Sequence, residues 1–70
     1  MLNKITLIQK NDQWHTNVGR VTREEREAMM SWCYDCWGSG WGEIDTRLDT
    51  TVFIFPQLSQ ANWFMLKWQD

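Results

Sequence analysis

Proline occurs once in this chain, histidine once and cysteine twice, and no run of apolar residues approaches the length that spans a bilayer. Each scarcity closes off a class of protein. A transmembrane helix needs about 18 or more consecutive apolar residues, and the N-terminal MLNKITLIQKND also lacks the apolar core and small-residue cleavage site of a signal peptide. Two cysteines are too few for a disulfide scaffold and fit a reducing compartment. A soluble intracellular protein is expected. One histidine, His15, leaves no histidine pair or relay. Basic residues are also short: seven Lys and Arg face nine Asp and Glu, for a net charge of -2 and a pI near 5.2. A general nucleic-acid binder carries a clear basic excess, so that partner is not expected.

What the chain does have is aromatic mass. Six Trp, three Phe and one Tyr stand among 70 residues. A domain this small buries only about 60% of its unfolded surface, and each aromatic ring contributes roughly 150–250 Å² to that burial. Residues 1–70 therefore read as a single α+β domain that folds without a metal or a disulfide, with rings to spare for an interface.

The longest periodic element is Thr22–Trp37. Thr22 and Glu25 form a capping box, each accepting from the other's backbone amide. Glu24, Glu25 and Glu27 lie near the positive end of the helix dipole. Ala28, Met29, Trp32, Cys33, Cys36 and Trp37 follow the helical repeat as a core stripe, and Gly38 supplies the left-handed stop. Before this helix, residues 2–10 read as a strand, Asn11-Asp12 as a turn, and Trp14, Thr16 and Val18 as the inward positions of a second short strand folded back as a hairpin. After it, WGSGWGE holds three of the four glycines and forms a loop. Glu43 to Leu48 reads as a short strand, Asp49-Thr50 as a turn, and Thr51 to Phe55 as a central strand with apolar residues on both faces. Pro56 closes it.

The C-terminal segment fits two periods. Leu58 and Ser59 resemble an N′ and N-cap pair with Leu58 stapled to Trp63. Beyond them, Ala61, Phe64, Met65 and Trp68 make a helical stripe, whereas Phe64, Leu66 and Trp68 alternate as in a strand. A two-turn helix followed by a final strand gives the order βαββαβ of a ferredoxin-like sandwich, which is the expected architecture. The alternative is a three- or four-stranded antiparallel sheet with two helices, the second running to the C-terminus. Neither order brings more than a weak two-fold echo, and no other internal repeat is visible.

The residues Thr22-Arg23-Glu24-Glu25-Arg26, Ala28-Met29, Trp32-Cys33, Phe53-Ile54-Phe55, Ala61 and Phe64-Met65-Leu66-Lys67-Trp68 together resemble a group of small proteins encoded by tailed bacteriophages. The match runs from Thr22 onward, about two thirds of the chain. It departs at Pro56-Gln57-Leu58-Ser59, where the group has charged residues, and at Cys36, which its pattern does not require. The resemblance implies a viral origin, the host cytoplasm as location, and no particular activity.

Several features could carry chemistry. Trp32-Cys33-Tyr34-Asp35-Cys36 has the spacing of a thioredoxin redox centre, but both thiols fall at the negative end of a helix, which disfavours a thiolate. Cys33 and Cys36 could offer two ligands to zinc, with the other two coming from a second copy; the plainer reading is that both pack in the core. Phe53 and Phe55 stand where an RNA-recognition sheet carries stacking rings, without the basic flanks such a sheet uses. The carboxylates are explained by the helix start and by polar connections. No enzyme and no cofactor are expected. What remains is contact with a host or viral protein, or with a second copy of the chain. Trp37 and Trp41 around the glycine loop, with Arg20, Arg23 and Arg26 beside the helix start, are the candidate partner-binding residues.

Overall fold

The computed structural model of the chain describes residues 5–47 and 49–69. Four strands and two helices follow in the order β1 (Thr6–Lys10), β2 (Gln13–Gly19), α1 (Arg23–Trp37), β3 (Glu43–Arg47), β4 (Thr50–Phe55) and α2 (Leu58–Trp68). The strands form one antiparallel sheet in the spatial order β1-β2-β4-β3. The fold is thus α+β with an antiparallel sheet and a C-terminal helix. The ferredoxin-like order is corrected on two counts: a hairpin precedes α1, and the last element is helical. Among the described residues, no helix is long and apolar enough to cross a membrane.

The physical reason for the helical ending is burial. Ala61 and Phe64 are fully buried, with Met65 and Trp68 half-buried beside them, which is the helical stripe. Strand alternation would bury Leu66 as well, and Leu66 is 74% exposed. Ser59 is not the cap. Gln57 holds the extended N-cap conformation, and its N–H donates to Gln60 Oε1 at 3.2 Å; Leu58 is the first helical residue, and both it and Trp63 are exposed, so no staple forms between them.

The topology contains a repeat of ββα units. β1-β2-α1 and β3-β4-α2 have the same strand spacing, with Thr6 corresponding to Glu43 and Gln13 to Thr50, and similar strand lengths, five and seven residues against five and six. β2 and β4 pair antiparallel at the centre, giving the sheet an approximate two-fold, and each hairpin's first strand lies at an edge. Asn11 and Asp12, both at positive φ (53° and 62°), make the tight turn of the first hairpin. The register slips between Asn17 and Gly19, where Asn17 Oδ1 accepts from the Gly19 amide at 2.8 Å.

Alternation along the strands sorts the two faces. Trp14, Thr16 and Val18 of β2, Thr51, Phe53 and Phe55 of β4, and Ile44 of β3 lie on the helix-covered face. Ile8, His15, Ile54 and Glu43 form one cross-strand row on the opposite face. Both helices cover the first face, with Trp37 of α1 edge-on to Phe55 at 5.6 Å and Phe64 of α2 against Phe55 at 5.3 Å and Phe53 at 4.8 Å. Thr16, buried among these rings, satisfies its hydroxyl by donating to the Phe53 carbonyl at 2.7 Å.

The start of α1 agrees with the capping box. The Glu25 amide donates to Thr22 Oγ1 at 3.1 Å and the Thr22 amide to Glu25 Oε1 at 2.8 Å. Gly38, at φ 71°, ends the helix with its N–H on the Tyr34 carbonyl at 2.8 Å. The core stripe is narrower than expected: Met29 and Cys33 are buried and Trp32 and Trp37 half-buried, while Ala28 and Cys36 face solvent. On the flank towards β3, Arg26 and Met30 are half-buried and line a cleft with Ile44 and Thr46.

Two outcomes follow from these contacts. The hydrogen bond from the Thr22 backbone N–H holds the Glu25 carboxyl below its ordinary value of 4.5, so its contribution is complete above that value and is lost as the pH falls through the lowered one. Thr22→Ala keeps that N–H and removes only the hydroxyl that caps the Glu25 amide, so it is expected to cost about 1 kcal/mol at neutral and acid pH alike, whereas the gap between wild type and Glu25→Ala should narrow in acid, as urea melts at both pH values will show. At Gly42 an added Cβ would lie 2.1 Å from the Ile54 carbonyl oxygen. Gly42→Ala must therefore push β3 off β4 and should lower stability by about 1–3 kcal/mol in the same melts.

Candidate protein-binding surface

The residues expected at a site separate on folding. Trp41 is core: 4% exposed, it stacks on Phe53 at 5.9 Å with an interplanar angle of 28° and tilts over Phe55 at 5.5 Å. The glycines around it let the loop turn its indole inward, so Trp41 closes the end of the core and offers no ring to a partner. Trp37 is half-buried, edge-on to Trp32 at 5.4 Å. The arginines also part company. Arg20 pairs with Asp49 at 2.7 Å and Arg23 with Glu27 at 3.1 Å, both in the open, where such pairs add little stability. Arg26 is half-buried and makes no ion pair among the described residues.

The two cysteines point in different directions. Cys33 is completely buried and Cys36 exposed, and both are free thiols. Burial, with a smaller contribution from Cys36, pushes the Cys33 thiol up to about 12. At neutral pH it is a protonated core side chain, which suits neither a nucleophile nor a zinc ligand, since both need the thiolate. Among the described residues, no three His, Cys, Asp or Glu side chains converge as a metal cluster. Phe53 and Phe55 are fully buried, so they present no stacking platform, and the opposite face of the sheet carries Ile8, His15 and Ile54 in their place.

The exposed apolar surface lies where sequence reasoning did not place it, on α2. Trp63 is 56% exposed and Leu66 74%. With Trp32 and Cys36 of α1 and Lys67 they line an open groove of about 400 Å³ between the helices. Trp32 floors this groove, held by edge-on contacts to Phe64 at 6.1 Å and Trp68 at 6.3 Å. Lys67 is its only charged lining residue, with the ammonium 5.5 Å from the Trp68 ring centre. A signal was present in the sequence: α2 is apolar at Trp63 and Leu66 as well as at Ala61 and Phe64, more faces than one packing contact can bury.

No family model, curated protein or solved structure matches the chain, so these surfaces carry the functional argument alone.

The thiols and Trp41 supply a direct check. One thiol per folded chain, Cys36, should react with a maleimide; Cys36→Ser should abolish that labelling, and Cys33 should react only on unfolding. Trp41→Ala should destabilise the fold by about 3–5 kcal/mol, the cost of emptying an aromatic core site.

Proposed function

We propose that this is a small phage-encoded accessory protein that acts in the host cytoplasm, without catalysis, by binding another protein through the α1–α2 groove. The observation that carries the proposal is the side-by-side exposure of Trp63 and Leu66 over that groove. Burying a Trp and a Leu from water is worth several kcal/mol to a complex, and their exposure has no structural use to the monomer. The shape suits an amphipathic helix laid along α2. Apolar residues spaced i, i+3 and i+4 would enter between Trp32, Trp63 and Leu66, and a carboxylate would meet Lys67. The viral origin rests on the resemblance carried by the α1, β4 and α2 motifs. The absence of catalysis rests on how the residues are placed: Cys33 is sealed in the core and Arg20 and Arg23 are paired on the surface.

Binding is tested by purifying tagged wild type and a Trp63→Ser, Leu66→Ser double variant from infected cells. The variant should keep the wild-type circular dichroism melt and lose the co-purifying protein, with affinity for that protein falling more than tenfold. Retention of the same partner at the same affinity would overturn the proposal. A self-associating chain whose dimer is abolished by the double variant would identify the partner as a second copy.

A further inference from the structure

β3 is an edge strand: within the described sheet it pairs with β4 on one side and with no strand on the other. Beside it, α1 and β3 enclose a second cleft of about 540 Å³ lined by Arg23, Arg26, Glu27, Met30, Ile44 and Thr46. The direction of α1 over this cleft is fixed at both ends. Arg20, just before the helix, pairs with Asp49 beyond the C-terminal end of β3, and Tyr34 stacks edge-on to Trp41 near its N-terminal end. α1 therefore runs antiparallel to β3, which sets Met30 towards Ile44 and the arginines towards Thr46. Arg23 already has Glu27. Arg26 is different: it lines the cleft as a half-buried residue and makes no ion pair among the described residues.

The approximate two-fold sharpens the contrast. In the other unit a cleft along α2 is lined by Asn62, Met65, Leu66 and Gln69, and Met65 is the eighth residue of α2 as Met30 is of α1. Among the described residues that cleft carries no charge, whereas the β3 side joins a strand edge to a cation without an ion pair, and the combination specifies a ligand. An open edge takes extended backbone, whose alternate side chains then point into the cleft at a spacing of two residues.

We propose that β3 and the first half of α1 form a receptor for an extended peptide segment that adds as a fifth strand beside β3. Its inward residues are an apolar side chain against Ile44 and Met30 and, two residues away, an Asp or Glu whose carboxylate is held by Arg26. The main-chain bonds to β3 supply affinity independent of sequence. The Arg26–carboxylate contact supplies selection, because a guanidinium presents paired donors to both carboxylate oxygens. This surface is separate from the α1–α2 groove and does not depend on it.

The test uses an acetylated and amidated peptide, Thr-Ile-Thr-Glu-Thr-Lys, titrated into the isotopically labelled full chain with amide shifts read by NMR. Shifts should centre on Ile44, Thr46 and Arg26. Replacing the peptide's Glu by Gln should weaken binding about tenfold, and Arg26→Gln, with its melt unchanged, should make the two peptides bind equally. Methylating alternate peptide nitrogens should abolish binding in one of the two phases, since only one set of amides faces β3. The Trp63→Ser, Leu66→Ser chain should bind the peptide as wild type does, so the two surfaces fail or stand separately. No shifts at millimolar peptide, shifts centred on Trp63 and Leu66, or equal binding of the Glu and Gln peptides to wild type would each overturn the proposal.

Discussion

The fold depends on one aromatic contact set, in which Phe53 and Phe55 of β4, Phe64 of α2 and Trp41 of the glycine loop meet with ring centres 4.8–5.9 Å apart. Burial of such rings is the dominant favourable contribution in a chain this short. Everything else is placed by it. β4 must be central so that two phenylalanines reach the helices, β2 must carry a small polar residue opposite Phe53, and Thr16 fits there only because its hydroxyl finds the Phe53 carbonyl. The loop after α1 must reverse tightly enough to return Trp41, and Gly42 must lie against β4 closer than any side chain allows.

That requirement also explains the division of surface. The helices seal one face of the sheet, and the space between them is floored by Trp32, whose two sides are taken by Trp37 and by Phe64 with Trp68. Once Trp32 occupies the seam, α2 can turn only one stripe inward. Trp63 and Leu66 remain outside because the core is already full.

Much of this was legible in the residues. Thr22 with Glu25 and the closing Gly38 bounded α1 because capping is a local event with local signals. The hairpin turn at Asn11-Asp12 and the central position of Phe53-Ile54-Phe55 were legible for the same reason. The C-terminal element was not, because Phe64-Met65-Leu66-Lys67-Trp68 satisfies both periods and only packing against β2 and β4 decides between them. Nor was the site. Trp37 and Trp41 flank Gly38 and Gly40 and read equally as interface rings or as caps on the end of the core, because whether a loop ring turns in or out is set by the cavity left at the end of the sheet, which no local pattern reports. Cys33 and Cys36 show the converse: both fit the helical stripe, but the buried face of α1 is narrow, so Cys33 is inside and Cys36 lines the open groove beside α2. Arg26 read as part of a surface cluster, and the flank that half-buries it comes from β3, seventeen or more residues further on.

The unequal ring content of the two ββα units bears on how the chain is made. All three phenylalanines belong to the second unit and Trp41 to the loop that leads into it, while the first unit contributes the buried Thr16, Val18, Met29 and Cys33 and the half-buried Trp14, Trp32 and Trp37. A lone two-stranded hairpin is marginal in water and needs further strands or a helix packed on it. In the first unit β2 has only β1 beside it until β4 pairs with it, and the rings that fill the shared interior arrive with β4 and α2. The two-fold pattern of the sheet is one of architecture only: half of the molecule is the mould, and the other half takes its shape from it.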